Sequence, residues 1–219
     1  MKVSVISLFP QTIEAYMAES MMWKAQRDGY LDLELINLRD FGEGLRKTVD
    51  DTPYGGGDGM VLKPGPIVDA IESVKAQDSK VILLSPQGKR FVQSTAQELS
   101  NEKHLIFICG RYEGFDERIR SYVDIQISVG DFVLTGGEIP AMLIIDSAVR
   151  LIPGVLGGEN STVEESFSDG SSLEYPHYTR PVEFRGDKVP DILLSGDHQK
   201  VADWRKQQSA DRSSHAQQA

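Results

Sequence analysis

The chain has 219 residues, of which 40% are hydrophobic, and its formal net charge is −10. That is enough apolar material for one substantial core, alone or with a small appendage. The acidity argues against broad, non-specific nucleic-acid binding, which runs on phosphate neutralisation. No apolar run approaches a membrane span, and the single cysteine, Cys109, excludes an internal disulfide and fits a reducing cytoplasm.

In chain order, KVSVISL (2–8) alternates like a strand and stops at Phe9-Pro10, before any signal-peptide length is reached. Residues 11–28 read as a helix closed by Gly29, and LDLELINL (31–38) as a second strand. The stretch 39–60 is glycine-rich, charged and too long for an idle connection. Residues 64–76 suit a helix, KVILLS (80–85) a buried strand ending in Pro-Gln-Gly, and 91–100 a helix. HLIFIC (104–109) is a further buried strand ending in GRYEGFDERI. A short strand near 123–127 then leads into SVGDFVLTGGEIPAM (128–142), where FVLT is strand-like and Glu-Ile-Pro opens a helix over 139–150.

Strands alternating with helices, two of them continuous apolar runs, predict an α/β domain with a largely parallel sheet. Ligands bind such sheets at the carboxyl ends of the strands. Three successive strand ends carry glycine here: SPQG (85–88), GRYEG (110–114) and VGDFVLTGG (129–137). Neither GxGxxG nor GxxxxGK[ST] occurs among them, which argues against NAD and ATP. It favours a ligand held by backbone groups and apolar walls, such as the adenosine part of S-adenosylmethionine.

Beyond residue 150 the periodicity fades. Residues 152–181 read as a linker or loop, and 189–208 as a turn and a short amphipathic helix. The polar end SADRSSHAQQA is expected to be disordered. Residues 176–219 hold seven Lys/Arg against six Asp/Glu, so an anionic partner would meet this part or arginines gathered from loops.

Single residues admit plainer readings. Arg111-Tyr112-Glu113 at a strand end points to function, with a surface pair of Glu113 and Arg118 as the alternative. Arg150 could simply complement a helix dipole, and Asp116, Glu117, Arg118 and Arg120 a solvated face. His177 is too isolated for a metal site, no zinc or iron spacing occurs, and Cys109 reads as core.

Taken together, VISLFP, KTVDDTPYGGGDGM, LSPQG, CGRYEGFDER, SVGDFVLTGGEIPAM, RLIPGVLG, ESFSDG, PHYTRP and LLSGDH closely resemble the bacterial tRNA (guanine-N1)-methyltransferase family, which modifies guanosine 37. The likeness runs over about residues 1–206 in the family's order and spacing. It implies a SPOUT-type α/β fold with a deep trefoil knot and a small, mainly helical C-terminal domain. The implied division is 1–160 for the knotted cofactor domain, 161–175 for an interdomain loop, 176–208 for a tRNA-binding domain and 209–219 for a tail.

The same resemblance implies S-adenosylmethionine bound by Leu84, Ser85, Pro86, Gln87 and Gly88, by Gly110, Tyr112, Glu113 and Gly114, and by Val129, Gly130, Asp131, Phe132, Val133, Leu134, Gly136, Gly137 and Pro140. It implies a cytoplasmic homodimer with a site shared between subunits, and a grip on the tRNA anticodon stem-loop involving Asp50, His177 and Arg180. Mg²⁺ is implied too, without a visible ligand cage. The catalytic pair is a carboxylate base for the proton on guanine N1 and an arginine, Arg150, opposite the charge developing on O6.

Two departures stand out. The family's EDSF-like segment reads Glu164-Glu165-Ser166-Phe167, so the base position is Glu165, one methylene longer than aspartate. The basic helices that follow WR.K.S in the family give way to SADRSSHAQQA, which predicts weaker tRNA affinity with a shallower salt dependence. These departures keep two other classes in view: a non-catalytic cofactor- or RNA-binding relative, and a knotted methyltransferase for another RNA position.

Overall fold

The computed structural model describes residues 1–158 and 165–216, and it divides into two compact units, Met1–Gly157 and Gly158–Ala219. The first unit is a mixed α/β domain. Its strands are β1 (Lys2–Ser7), β2 (Asp32–Asn37), β5 (Ser79–Arg90), β6 (His104–Ile108) and β7 (Ile125–Ser128), all parallel, in the order β2-β1-β6-β5-β7. Between them lie a short antiparallel pair, β3 (Asp50–Asp51) and β4 (Val61–Leu62), and five helices. The helices are α1 (Pro10–Met17), α2 (Ser20–Arg27), α3 (Pro64–Val74), α4 (Gln93–Ser100) and α5 (Glu138–Val149).

Side chains alternate across the sheet, so each strand feeds two cores. Ile82, Leu84, Leu105 and Phe107 face one way and pack with α1, α2 and α5; Val81, Leu83, Ile106 and Ile108 face the other and pack with α3. Both faces are covered, which is why β5 and β6 are apolar without a break. Each fully buried Leu, Ile or Phe contributes about 1.5–3 kcal/mol relative to exposure.

Several elements differ from expectation. The helix expected over 11–28 is two helices: Glu19 is extended and Ser20 takes φ 50°, while the Gln26 side-chain amide donates to the Met17 carbonyl at 2.6 Å and stops α1. FVLT forms no strand, because among the described residues no neighbouring strand lies beyond β7 to pair with it; Phe132 and Val133 are exposed instead. The long loop 39–60 carries a turn closed by Glu43 and Thr48 and the strand β3.

The second unit holds a hairpin, β8 (Glu183–Phe184) and β9 (Asp187–Lys188), and the helices α6 (Asp191–Leu194) and α7 (His198–Ala216). The tail expected to be disordered from 209 is helical through Ala216. The Ser209 hydroxyl donates to the Leu173 carbonyl at 2.5 Å, the Ser213 hydroxyl accepts the Leu173 N–H at 2.8 Å, and Gln207 reaches Asp211 at 2.9 Å. These anchors outweigh the low hydrophobicity that suggested disorder. Among the described residues no helix is long and apolar enough to cross a membrane.

Candidate active site

Strands β6, β5 and β7 are neighbours and point the same way, so their carboxyl ends open on one edge. The register of β5 against β7 jumps between Leu84 and Lys89, which lifts Ser85–Gly88 out of the sheet. The loop after β6 turns at Tyr112, with φ 60°, and is zipped to residues 60–62. Glu113 N–H donates to the Met60 carbonyl at 3.0 Å, and the Gly114 carbonyl accepts from Leu62 N–H at 2.9 Å. The loop after β7 runs from Val129 to the start of α5.

The three loops enclose a cleft of about 370 Å³, within the range of small-ligand sites. Leu84–Gln87, Gly110, Tyr112–Gly114, Val129, Gly130, Phe132–Leu134, Gly136, Gly137 and Pro140 all line it. Two expected members do not. Gly88 lies against the β7 backbone, where an added Cβ would sit 2.5 Å from the carbonyl carbon of Gln126, and Asp131 faces solvent, 3.9 Å from Arg90. The cleft is lined by Leu84, Pro86, Ile127 and Pro140 among its apolar residues, and by no lysine. Its two arginines are engaged by the protein: Arg120 with Glu117 at 2.6 Å, with Gln126 at 2.8 Å and with Gln87, and Arg111 with Glu138.

Glu138, the first residue of α5, is 2% exposed. Its Oε2 accepts from Arg111 Nη2 at 2.9 Å and its Oε1 from the Ser7 hydroxyl at 2.6 Å, while the Arg111 guanidinium lies 4.6 Å from the Phe9 ring centroid. Sequence reasoning missed this arrangement. The readable signal was an acid directly after Gly136-Gly137 in an apolar helix start, because a buried carboxylate requires a cation. Nor does Arg118 pair with Glu113; it pairs with Asp116 at 2.8 Å and lowers the pKa of that carboxyl. Cys109, beneath the cleft, has its thiol pKa pushed well up by complete burial, so it stays a neutral core group.

The remaining expected site residues stand elsewhere. Arg150 caps the carboxyl end of α5, and Asp50 pairs with Leu62 between β3 and β4; neither lines the cleft. Glu165, His177 and Arg180 belong to the second unit. Glu165 opens a turn in which its carbonyl accepts from Ser168 N–H at 3.1 Å. The turn is pinned by Asp169, whose carboxylate takes the Ser171 and Ser172 N–H groups and the Ser172 hydroxyl and is lowered to about 2 by those bonds. His177 Nε2 is 2.7 Å from Glu174 Oε1, its ring lies tilted by 48° against that of Tyr175 with centroids 4.9 Å apart, and Arg180 is exposed.

This edge has the geometry of a small-molecule site without a phosphate cradle, and the family comparison agrees with the motifs that build it. The family model for the tRNA (guanine-1)-methyltransferase TrmD matches residues 1–218. The chain belongs to that family. A tRNA (guanine-N(1)-)-methyltransferase of Geobacillus kaustophilus is 56% identical over 212 residues, covering 95% of this chain and 86% of the relative. The enzyme of the same name from Dictyoglomus turgidum is 54% identical over 209 residues (95% and 85%), and that of Bacillus subtilis 52% over 213 residues (95% and 87%). As a member of this methyltransferase family, the chain carries the three cleft loops in its first unit and the ESFSDG and PHYTRP segments in its second.

Proposed function

We propose that the protein is a cytoplasmic enzyme that transfers a methyl group from S-adenosylmethionine to N1 of guanosine 37 in tRNA. The observation that carries this reading is the convergence of three glycine-bearing loops on one cleft without a phosphate cradle. Its volume, apolar walls and backbone groups fit an adenosine and a methionine chain. The cofactor, when bound, supplies an electrophilic methyl group.

The chain's own residues do the rest. The cleft loops hold the donor and exclude water. Glu165 takes the proton from guanine N1, freeing its lone pair for methylation, in which the methyl–sulfur bond would break as the carbon–nitrogen bond forms and S-adenosylhomocysteine would leave. Arg150 offsets the negative charge that then develops on O6. Asp50, His177 and Arg180 position the tRNA anticodon stem-loop. The resemblance supports these roles, and it supports a trefoil knot made by the cleft loops, a cofactor domain over 1–160, a loop over 161–175 and a tRNA-binding domain over 176–208. Among the described residues no three His, Cys, Asp or Glu side chains gather to hold a metal, so no step is routed through Mg²⁺.

A homodimer is part of the same reading. Helices α1 and α5 pack together, and Phe9 beside α1, Tyr16 on α1, and Ile139 and Leu143 on α5 are all exposed. Such an apolar group suits a partner surface; light scattering of the purified chain would give twice the chain mass.

The deciding experiment is transfer of labelled methyl groups to tRNA transcripts carrying guanosine or adenosine at position 37. Labelling of the guanosine transcript alone is expected. Cofactor binding without transfer, or labelling at another position, would overturn the proposal.

A further inference from the structure

Glu138 is the one carboxylate in the fully buried set of described residues, and it sits directly under the cleft. A buried charge is tolerated when it is paired and hydrogen-bonded. Here its two partners come from separate stretches of chain. Ser7 ends β1, and its hydroxyl oxygen also accepts the Phe9 N–H at 2.8 Å. Arg111 belongs to the loop after β6, and besides Glu138 its Nη1 reaches the Thr135 carbonyl at 3.3 Å, in the loop after β7. One guanidinium therefore ties the second cleft loop to the third and both to the start of α5.

The glycine before this helix start has no room for anything else. A Cβ on Gly136 would sit 2.5 Å from Arg111 Cζ and 2.5 Å from Glu138 Oε2. The two loops also bridge through their backbones at Arg111 and Gly136, and Gly137 N–H donates to the Gly110 carbonyl at 2.9 Å.

We infer that Arg111 and Glu138 are a positioning pair that holds the cleft loops in binding register, and that Gly136 is glycine because this pair fills the space of its side chain. Arg111 lines the cleft, yet its nitrogens serve the protein. The pair acts on the ligand through the loops it joins. The functional half of this inference rests on the S-adenosylmethionine reading of the cleft.

The test compares Arg111→Ala, Gly136→Ala and the double variant in the full chain, with Lys103→Ala, a surface lysine paired with Asp78, as control. Amide hydrogen exchange is read first, without ligand. Both single variants should speed exchange in 110–114 and 134–137, the Gly137 amide above all, and leave β1 and β6 unchanged. S-adenosylmethionine Kd and KM should then rise at least tenfold, with kcat at saturation and the KM for tRNA within about twofold. The double variant should be no worse than either single one, since both remove the same contact. Should Arg111→Ala fail to fold, Arg111→Lys carries the test, because an ammonium cannot reach Glu138 and Thr135 together as the fork does.

Unchanged exchange at Gly137, or additive effects in the double variant, would overturn the inference. A parent protein that binds no S-adenosylmethionine would overturn the cofactor reading instead, and exchange would still decide the positioning pair.

Discussion

Replacing Gly137 by alanine isolates close packing from backbone strain. The residue sits at φ −85°, ψ −5°, a negative-φ conformation open to alanine as at the third position of type I turns, so the cost should come chiefly from the added methyl. That methyl would lie 2.6 Å from Cys109 Cα and 2.8 Å from Gly110 N, where ordinary contact begins at 3.4 Å. Both obstacles are backbone atoms at the end of β6, which is held between β1 and β5, so neither can swing away as a side-chain tip could. An unrelieved overlap of this kind costs about 1–3 kcal/mol. For a domain of this size each kcal/mol lowers Tm by about 2–4 °C, giving a drop of about 2–12 °C. Gly157→Ala is the matched control. No atom of the described residues lies within 4 Å of its Cβ position and its φ is not positive, so the change should be neutral or slightly stabilising. Thermal unfolding of both variants by circular dichroism is the assay. A Gly137→Ala protein melting within about 1 °C of the parent would refute the packing argument, as would equal losses in the two variants.

Three further outcomes follow from the same structure. Glu165→Gln keeps the shape of the turn but removes the base, so methyl transfer should fall by about 100-fold or more while cofactor affinity holds; activity close to the parent would sink the assignment. His104, 5% exposed, lies between Ser4 and Ser79 with Lys2, Asp32 and Glu34 nearby, and burial lowers its pKa. The unfolded chain therefore takes up a proton first. Stability should fall as pH drops from about 6.5 toward the lower folded value, and this limb should vanish from urea titrations of His104→Gln. In the second unit Arg185 and Gly186 turn the β8–β9 hairpin at φ 54° and 95°, leaving Phe184 61% exposed with the guanidinium 5.2 Å from its ring centroid. If this tip contacts tRNA, Arg185→Ala should raise the KM for tRNA and reduce the salt slope by roughly 0.7–0.9; an unchanged slope would remove the tip from the interface.

How far the sequence could be read depended on whether a local pattern determined the outcome. The parallel sheet was legible because β5 and β6 are apolar on both faces, and only a doubly covered strand has that composition. The three loops were legible as one edge because parallel strands joined by helices must present the same ends together. FVLT misled because β-propensity measures fit to a neighbouring strand, and among the described residues there is none beyond β7. The tail misled because its helix is anchored by hydroxyls to Leu173, a contact 36 residues distant in the chain. The pairing of Arg111 with Glu138 was missed for the same reason. Each residue carried a signal alone, an acid at an apolar helix start and a cation at a strand end, but only the fold brings them to 2.9 Å.

The glycines of the cleft show why the fold matters to the choice of ligand. In a phosphate cradle the glycine N–H groups point at the anion and wait for it. Here three of the five are already donated within the protein: Gly137 to the Gly110 carbonyl at 2.9 Å, Gly114 to the Arg111 carbonyl at 3.1 Å, and Gly130 to the Ser128 hydroxyl at 3.3 Å. The two arginines that line the cleft are likewise spent on Glu138, Glu117 and Gln126. A nucleoside triphosphate would therefore bring its charge to a wall where three glycine amides are already bonded and no lysine stands among the lining residues. A ligand without phosphates loses nothing there, and the adenine and ribose of S-adenosylmethionine are of that kind. Gly136 and Gly137 thus serve close approach of protein to protein, and the cleft owes its shape to that packing.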